Sequence, residues 1–283
     1  MEYQDLTIVI TTFHSQDKIY KCLDSIDKKI NIIIVENTNN HLLKNDIQSK
    51  YKNTRIILTG ENLGYAKGNN LGLTKVKSKY ALILNPDVIV EKETFANFFS
   101  LIKKKPDFAI MAPAIQNENN YLKEKFENKN LVEVGNVKGF AMFFNMVEFK
   151  NIGFFDENFF IYLEETDLCK RLKNNGKKIY VDSQIKFFHL GGSSHNESIN
   201  FEMELSRNWH WMWSTFYYNK KHYGYFYALI KTFKKLLSSS IKSIFYFLTF
   251  NSNKKKIYFQ RFNGLINSML GKKSWYRPKI LVN

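Results

Sequence analysis

The chain has 283 residues, 44% of them hydrophobic and 16% aromatic, and 42 Lys and Arg against 26 Asp and Glu give a formal charge of +16. This length suits one large domain or a domain with an appendage, and the composition excludes collagen-like, coiled-coil and wholly disordered chains. The only two cysteines, Cys22 and Cys169, belong to no Cys-x-x-Cys pair, which argues against a disulfide framework and a zinc cluster.

The N-terminus, Met1 to Asp5, lacks the basic and apolar regions of a signal peptide, and no window reaches the roughly 20 apolar residues of a membrane span; the chain is expected to act inside the cell. Short apolar runs then alternate with segments long enough for crossover helices: Leu6 to Ile10, Asn31 to Val35, Arg55 to Leu58 and Tyr80 to Leu84. Near-continuous hydrophobicity marks parallel strands covered on both faces, so the first part reads as an α/β sheet of nucleotide-binding type. In such sheets ligands bind beyond the carboxyl ends of the strands. The polar residues that follow the four strands are Thr11-Thr12, Glu36-Asn37-Thr38, the stretch Gly60 to Asn70, and Asn85-Pro86-Asp87. Any one of these is ordinary turn chemistry. Four at successive strand ends point to a shared binding edge.

Further along, Gly153-Phe-Phe-Asp156 leads into Glu164-Glu165-Thr166-Asp167, where Leu163, Leu168 and Leu172 are spaced for a helix with an acidic first turn. Such acids complement the positive end of the helix dipole. After a strand at Lys178 to Asp182 comes Phe187-Phe188-His189, followed by Gly191-Gly192, which would let backbone approach a ligand.

These motifs, in order from Ile8-Val-Ile-Thr-Thr12 through Glu61-Asn-Leu-Gly-Tyr-Ala-Lys-Gly-Asn-Asn70, Leu84-Asn-Pro-Asp-Val88, Lys138-Gly-Phe-Ala141 and Tyr162-Leu-Glu-Glu-Thr-Asp-Leu168 to His189, resemble the inverting family 2 glycosyltransferases of GT-A fold, rhamnosyltransferase-like branch. The resemblance covers roughly residues 5–195. It implies a Rossmann-like, mostly parallel central sheet with a basic helical C-terminal extension, a nucleotide-sugar-binding part over about 1–112 and an acceptor part over about 113–205. Asp87 falls at the family's metal-binding Asp-x-Asp motif, whose first acid is Asn85 here. It would bind Mg2+ or Mn2+ bridging a diphosphate, with His189 as a second metal-side residue or a structural histidine. Glu36 matches the acid that contacts the nucleotide base; a carboxylate accepts the imide N–H of uracil or thymine, which implies a dTDP- or UDP-sugar. Thr11, Thr12, Asn62, Gly64 and Asn69 match the surrounding donor loop. Glu165 matches the general base and Asp167 is its alternative. The first expected donor is dTDP-rhamnose, with UDP-hexose and UDP-galactofuranose as other candidates, and the acceptor expected is a lipid-linked saccharide in cell-surface polysaccharide synthesis.

The charge is unevenly placed. Residues 1–200 hold 27 basic and 24 acidic residues, whereas residues 201–283 hold 15 basic residues against Glu202 and Glu204 alone. Within 206–283, Phe226, Leu229, Ile230, Phe233, Leu237, Ile241, Ile244 and Leu248 recur at helical spacing with lysines between them. An apolar stripe flanked only by basic residues reads as an interfacial helix on an anionic membrane surface, here the inner face of the cytoplasmic membrane, against the alternative of a hairpin packed on the catalytic domain. A nucleic-acid-binding module would explain the basic end but not the nearly neutral first 190 residues, so no nucleic-acid partner is expected; a homo-oligomer and a catalytically inactive, nucleotide-binding relative remain alternatives.

Overall fold

A computed structural model of the chain describes residues 3–114, 130–189, 195 and 197–280, with the backbone alone at His189. It forms two compact units: Met1–Phe155 with Glu165–Asn196, and Asp156–Glu164 with Glu197–Asn283.

The first unit is built on strands β1 (Leu6–Thr12), β2 (Asn31–Glu36), β3 (Thr54–Leu58), β4 (Tyr80–Leu84), β6 (Phe108–Pro113), β7 (Leu131–Glu133), β8 (Ala141–Asn145) and β9 (Lys178–Asp182), in the spatial order β3-β2-β1-β4-β8-β6-β9-β7. The four strands from β3 to β4 are mutually parallel. β8 runs antiparallel between β4 and β6, β6 and β9 are parallel, and β7 closes the edge antiparallel to β9. A separate two-stranded ribbon pairs β5 (Val88–Val90) with β10 (Phe187–His189). The parallel strands carry buried β-branched and leucine side chains along almost their whole length, as two-sided coverage requires. Because β2 and β4 lie on opposite sides of β1, the chain reverses its direction of travel at β1, and the crevice beyond β1 and β4 is the topological switch point of the sheet.

Helices α1 (Gln16–Asp24), α2 (His41–Lys50), α3 (Gly64–Leu73), α4 (Thr94–Lys104) and α5 (Glu164–Asn174) complete this part. α4 covers the sheet through Phe98, which stacks on Phe143 of β8 with ring centroids 3.9 Å apart. α3 lies close to the sheet because two of its three glycines, Gly68 and Gly72, face the sheet without side chains. A Cβ on Gly72 would fall 2.4 Å from Val9 Cγ1, and one on Gly68 would fall 2.7 Å from Thr11 Cγ2.

The second unit is helical: α6 (Asn200–Tyr223), α7 (Tyr225–Leu248) and α8 (Ser252–Met269). Gly224, at φ 91° and ψ 165°, separates α6 from α7 in a region of backbone space that essentially glycine alone occupies. α6 and α8 meet backbone to backbone: a Cβ on Gly264 would lie 2.2 Å from the carbonyl oxygen of Trp209. Trp209 is fully buried and donates to Asn263 Oδ1 at 2.8 Å, so the largest core side chain of this unit has its N–H satisfied.

α7 inverts the usual distribution. Its buried positions are Ala228, Thr232 and Ser239, whose hydroxyls bond back to carbonyls of their own helix, while Phe226, Ile230, Phe233, Leu237, Ile241, Ile244 and Leu248 are all exposed, from 51% to 80%. Of the expected stripe, Leu229 alone packs inward, against the cluster of Met212, Phe216 and Leu265. Among the described residues no helix is long and apolar enough to cross a membrane, and both cysteines are free and buried.

Candidate active site

Beyond the carboxyl ends of β1, β2 and β4, side chains from four segments interlock. Thr11 Oγ1 donates to Asn69 Oδ1 at 3.0 Å, and Asn69 Nδ2 donates to the Tyr65 carbonyl at 3.0 Å. Asn37, fully buried next to β2, donates to the Gly64 carbonyl at 3.1 Å, and its backbone N–H reaches the Thr12 carbonyl at 2.9 Å. Gly64 opens α3 at φ 78°, and its N–H is received by Asn62 Oδ1 at 3.0 Å. The loop that carries Asn62, Gly64 and Asn69 is therefore tied to the ends of β1 and β2, and Gly68 serves close packing on Thr11 rather than a turn. Thr12 is buried, 2% exposed; its hydroxyl and Asn37 Oδ1 have no hydrogen-bond partner among the described residues. A ligand or an ordered water would satisfy both atoms.

Glu36 is almost wholly buried, and its Oε2 accepts from the Thr38 N–H at 3.0 Å and the Thr38 hydroxyl at 2.6 Å. His14, which no sequence motif singles out, sits beside Glu36 at this edge. It follows β1 in a left-handed conformation (φ 50°), edge-on to Phe13. Burial lowers its pKa, and the charge of Glu36 works in the opposite direction. The position of His14 two residues beyond a strand end is the only sequence signal for it; the left-handed backbone shows only in the structure.

Asn85 and Asp87 sit at the end of β4. The Asn85 N–H donates to the Phe140 carbonyl at 2.9 Å, and its carbonyl accepts from Cys22 Sγ at 3.8 Å. Asp87 is 2% exposed, and the Cys22 thiol is pushed up by burial and then by the charge of Asp87. The antiparallel β5–β10 ribbon sets His189 opposite Val88, the residue after Asp87, so 102 positions of sequence separation close to one register step in the backbone. Among the described residues no three His, Cys, Asp or Glu side chains group as a metal site. A single buried carboxylate fits a hard cation that arrives with phosphate oxygens filling most of its shell, and does not fit a resident structural metal.

Residues 138–140 join this edge to α5. Phe140 binds Asn85 as above; the Gly139 carbonyl accepts a short hydrogen bond from the Tyr65 hydroxyl; and the Lys138 ammonium bears on Glu165. Lys138 is a second site-edge residue to which the sequence assigned no role. Burial, the dominant effect, raises the pKa of Glu165, against the backbone N–H groups of Glu165 and Thr166 and the charge of Lys138. Asp167, fully buried two residues later, is differently employed: its Oδ2 accepts from Arg171 Nε at 2.8 Å. Arg171 also donates to the carbonyls of Ile152 and Phe154, and Asn70 of α3 brackets Phe155 with two backbone hydrogen bonds of 2.9 and 3.1 Å. Asp167 thus fixes the Gly153-Phe-Phe segment on α5, while the Glu165 carboxyl is held above the ordinary glutamate range by burial. Tyr162 and Leu163, which precede α5, are both left-handed (φ 75° and 67°), so the expected helical position of Leu163 lies outside the helix.

A cavity of about 720 Å3 in the first unit is lined by Asn97, Lys104, Glu133, Tyr180 and Asp182, among others, and by none of the site residues expected from sequence.

A family model described as glycosyl transferase family 2 matches residues 7–173. The chain is similar to the low-salt glycan biosynthesis hexosyltransferase Agl10 of Haloferax volcanii, with 25% identity over 198 residues, covering 62% of this chain and 64% of the relative, just under two thirds of its length. It is also similar to rhamnosyltransferase WbbL of Escherichia coli K12, with 25% identity over 249 residues and coverage of 75% and 91%. In fold it resembles the mannosyltransferase PcManGT of Pyrobaculum calidifontis, solved with GDP-Man and Mn2+, at a TM-score of 0.61, 11% identity, and coverage of 95% and 88%.

Proposed function

The chain belongs to glycosyl transferase family 2 and is a glycosyltransferase, and on that premise we propose that it moves a sugar from a nucleoside-diphosphate donor to a saccharide acceptor by single displacement with inversion. Glu165 is the general base: it takes the acceptor hydroxyl proton as the oxygen attacks the anomeric carbon. The observation that carries this assignment is the contrast within one helical turn, where Asp167 is committed to Arg171 and Glu165 has its carboxyl raised by burial. A base whose pKa is lifted toward the working pH binds the transferred proton more firmly.

The donor occupies the edge formed by Thr11, Thr12, Glu36, Asn62, Gly64, Asn69 and Asn85. Glu36 meets the pyrimidine base, and Thr38 holds its carboxylate in place from two sides. Asp87, with His189 in register beside it, receives Mg2+ or Mn2+; when bound, that ion supplies charge stabilisation to the departing diphosphate. dTDP-rhamnose is the first donor candidate, supported by the WbbL similarity. The helical second unit places the enzyme on an anionic membrane surface, where its acceptor is a lipid-linked saccharide; the exposed stripe of α7 and the absence of any acidic residue after Glu204 support this reading.

Glu165→Gln tests the chemistry. Transfer should fall about 10²- to 10⁴-fold, while binding of the donor nucleotide, read as thermal stabilisation, persists. Near-normal turnover would overturn the assignment. A screen of dTDP- and UDP-sugars with Mg2+ or Mn2+ identifies the donor, since a ligand at 100 times its Kd stabilises by about 2.7 kcal/mol.

A further inference from the structure

The inner side of α7 raises a question of its own. Lys235 is half-buried there, its ammonium 5.5 Å from the centroid of the Trp211 ring on α6. Burial, then the charges of Arg261 on α8 and Lys231 one turn earlier, hold its pKa below the ordinary lysine value. Close by, Lys242 and Arg261 both lie over the ring of Tyr258, at 5.2 and 5.7 Å, and Tyr258 stacks on Tyr246. Lys235 and Arg261 are thus part-buried, with Lys231 and Lys242 exposed on the same helices, in a part of the chain that contains no acid after Glu204. Like charges in partial burial repel, and folding brings them together against that repulsion. The arrangement makes physical sense if an anion is the missing member. One further feature indicates its kind: Ile230, Phe233 and Leu237, exposed on the same two turns of α7, provide an apolar surface beside the cations.

We propose that Lys231, Lys235 and Arg261 form a binding site for the terminal phosphate of a membrane lipid, with the lipid's hydrocarbon beside the apolar stripe of α7. This rests on the reading of the second unit as membrane-facing and sharpens it: the basic charge is a specific receptor for a terminal phosphate as well as a general attraction to anionic surfaces. Trp211 restrains the Lys235 side chain through its ring and so reduces the freedom lost on binding.

The test is vesicle co-sedimentation of the full chain. Three vesicle types are compared: phosphatidylcholine alone, phosphatidylcholine with phosphatidylglycerol, and phosphatidylcholine with phosphatidate adjusted to the same surface charge as the second. The expected result is tighter binding, by about tenfold (1.4 kcal/mol), to phosphatidate, whose phosphate is terminal, than to phosphatidylglycerol. Lys235→Gln, Arg261→Gln and, at an exposed position, Lys231→Gln should each reduce that excess. Lys234→Gln, which removes the same charge from an exposed position of the same helix, should leave it intact. Thermal unfolding of each variant monitors folding, and Lys231→Gln keeps the test valid if a half-buried substitution unfolds the unit. Binding that tracks surface charge alone, with all four variants equivalent, overturns the phosphate site and leaves the membrane reading standing. Failure of the unaltered chain to bind any vesicle overturns the membrane reading itself. Competition by inorganic pyrophosphate without any phosphatidate preference assigns the site to a soluble phosphate and overturns the lipid.

Discussion

The two units solve the hydrophobic problem in opposite ways. In the sheet unit the large apolar side chains are inside: Leu6, Ile8, Ile10, Leu82, Phe98 and Phe143 are at zero exposure, and three large hydrophobics, Leu42, Val147 and Phe188, are exposed among its described residues. In the helical unit seventeen such side chains are exposed among the described residues, and the buried face of α7 is made of Ala, Thr and Ser. Apolar surface left in water costs roughly 25 cal/mol per Å2, so this face is where the proposed membrane contact would have the most to cover. The basic charge and the exposed apolar residues are one feature, since both lie in the unit that lacks the sheet.

The largest test of this contrast is at the cores. Phe98→Ala in the sheet unit should cost about 3–5 kcal/mol, as full burial of an aromatic ring implies. Phe226→Ser, at 80% exposure, should change stability by no more than about 0.5 kcal/mol, yet weaken vesicle binding. Chemical denaturation of both variants checks the pair; equal costs would erase the distinction between the two faces.

Next in size is the pH response of the helical unit. His210 is fully buried, and its Nε2 lies 2.9 Å from the Tyr276 carbonyl; burial pushes its pKa down to about 3. The unfolded chain takes up a proton near pH 6.5 while the folded unit resists until about 3, so stability should fall with acidification across that interval, by up to about 1.4 kcal/mol per pH unit. His210→Gln should flatten this slope, as measured by denaturation at several pH values. In the sheet unit the raised carboxyl of Glu165 acts with the other sign, since stability it contributes in the protonated form is lost as pH rises. As the proposed base it must be ionised, so the acid limb of the kcat/KM profile should lie above the ordinary glutamate value of 4.5 and move when Glu165 is replaced.

The smallest expected effect separates the two kinds of glycine contact. Gly264→Ala meets a backbone carbonyl, which cannot turn away, and should destabilise by about 1–3 kcal/mol. Gly68→Ala meets the methyl of Thr11, which can rotate, and should cost less in stability while disturbing the Thr11–Asn69 hydrogen bond and hence donor binding. Thermal shift with and without donor resolves the two.

Much of this was legible in the residues. The four parallel strands carry near-continuous apolar runs, the polar motifs fall at their ends in order, and the α7 stripe has a clear helical period. Other elements were less so. Ala141–Asn145 contains no β-branched residue, and a short apolar run of that kind is equally a buried helix by periodicity; its place between β4 and β6 is decided by long-range pairing. Tyr162 and Leu163 have no sequence signature for left-handed backbone.

By itself, then, the sequence determined the class of sheet, the edge where ligands gather, the acidic start of α5 and the amphipathic basic end, because each is written in local spacing and composition. The tertiary structure alone decided the division of labour between the acids and the direction of the α7 faces. Asp167 is occupied because Arg171 reaches the carbonyls of Ile152 and Phe154, and the apolar stripe stays outside because the small residues Ala228, Thr232 and Ser239 form the closely packed side. Periodicity states that a helix has two faces; only packing against distant residues states which one is covered.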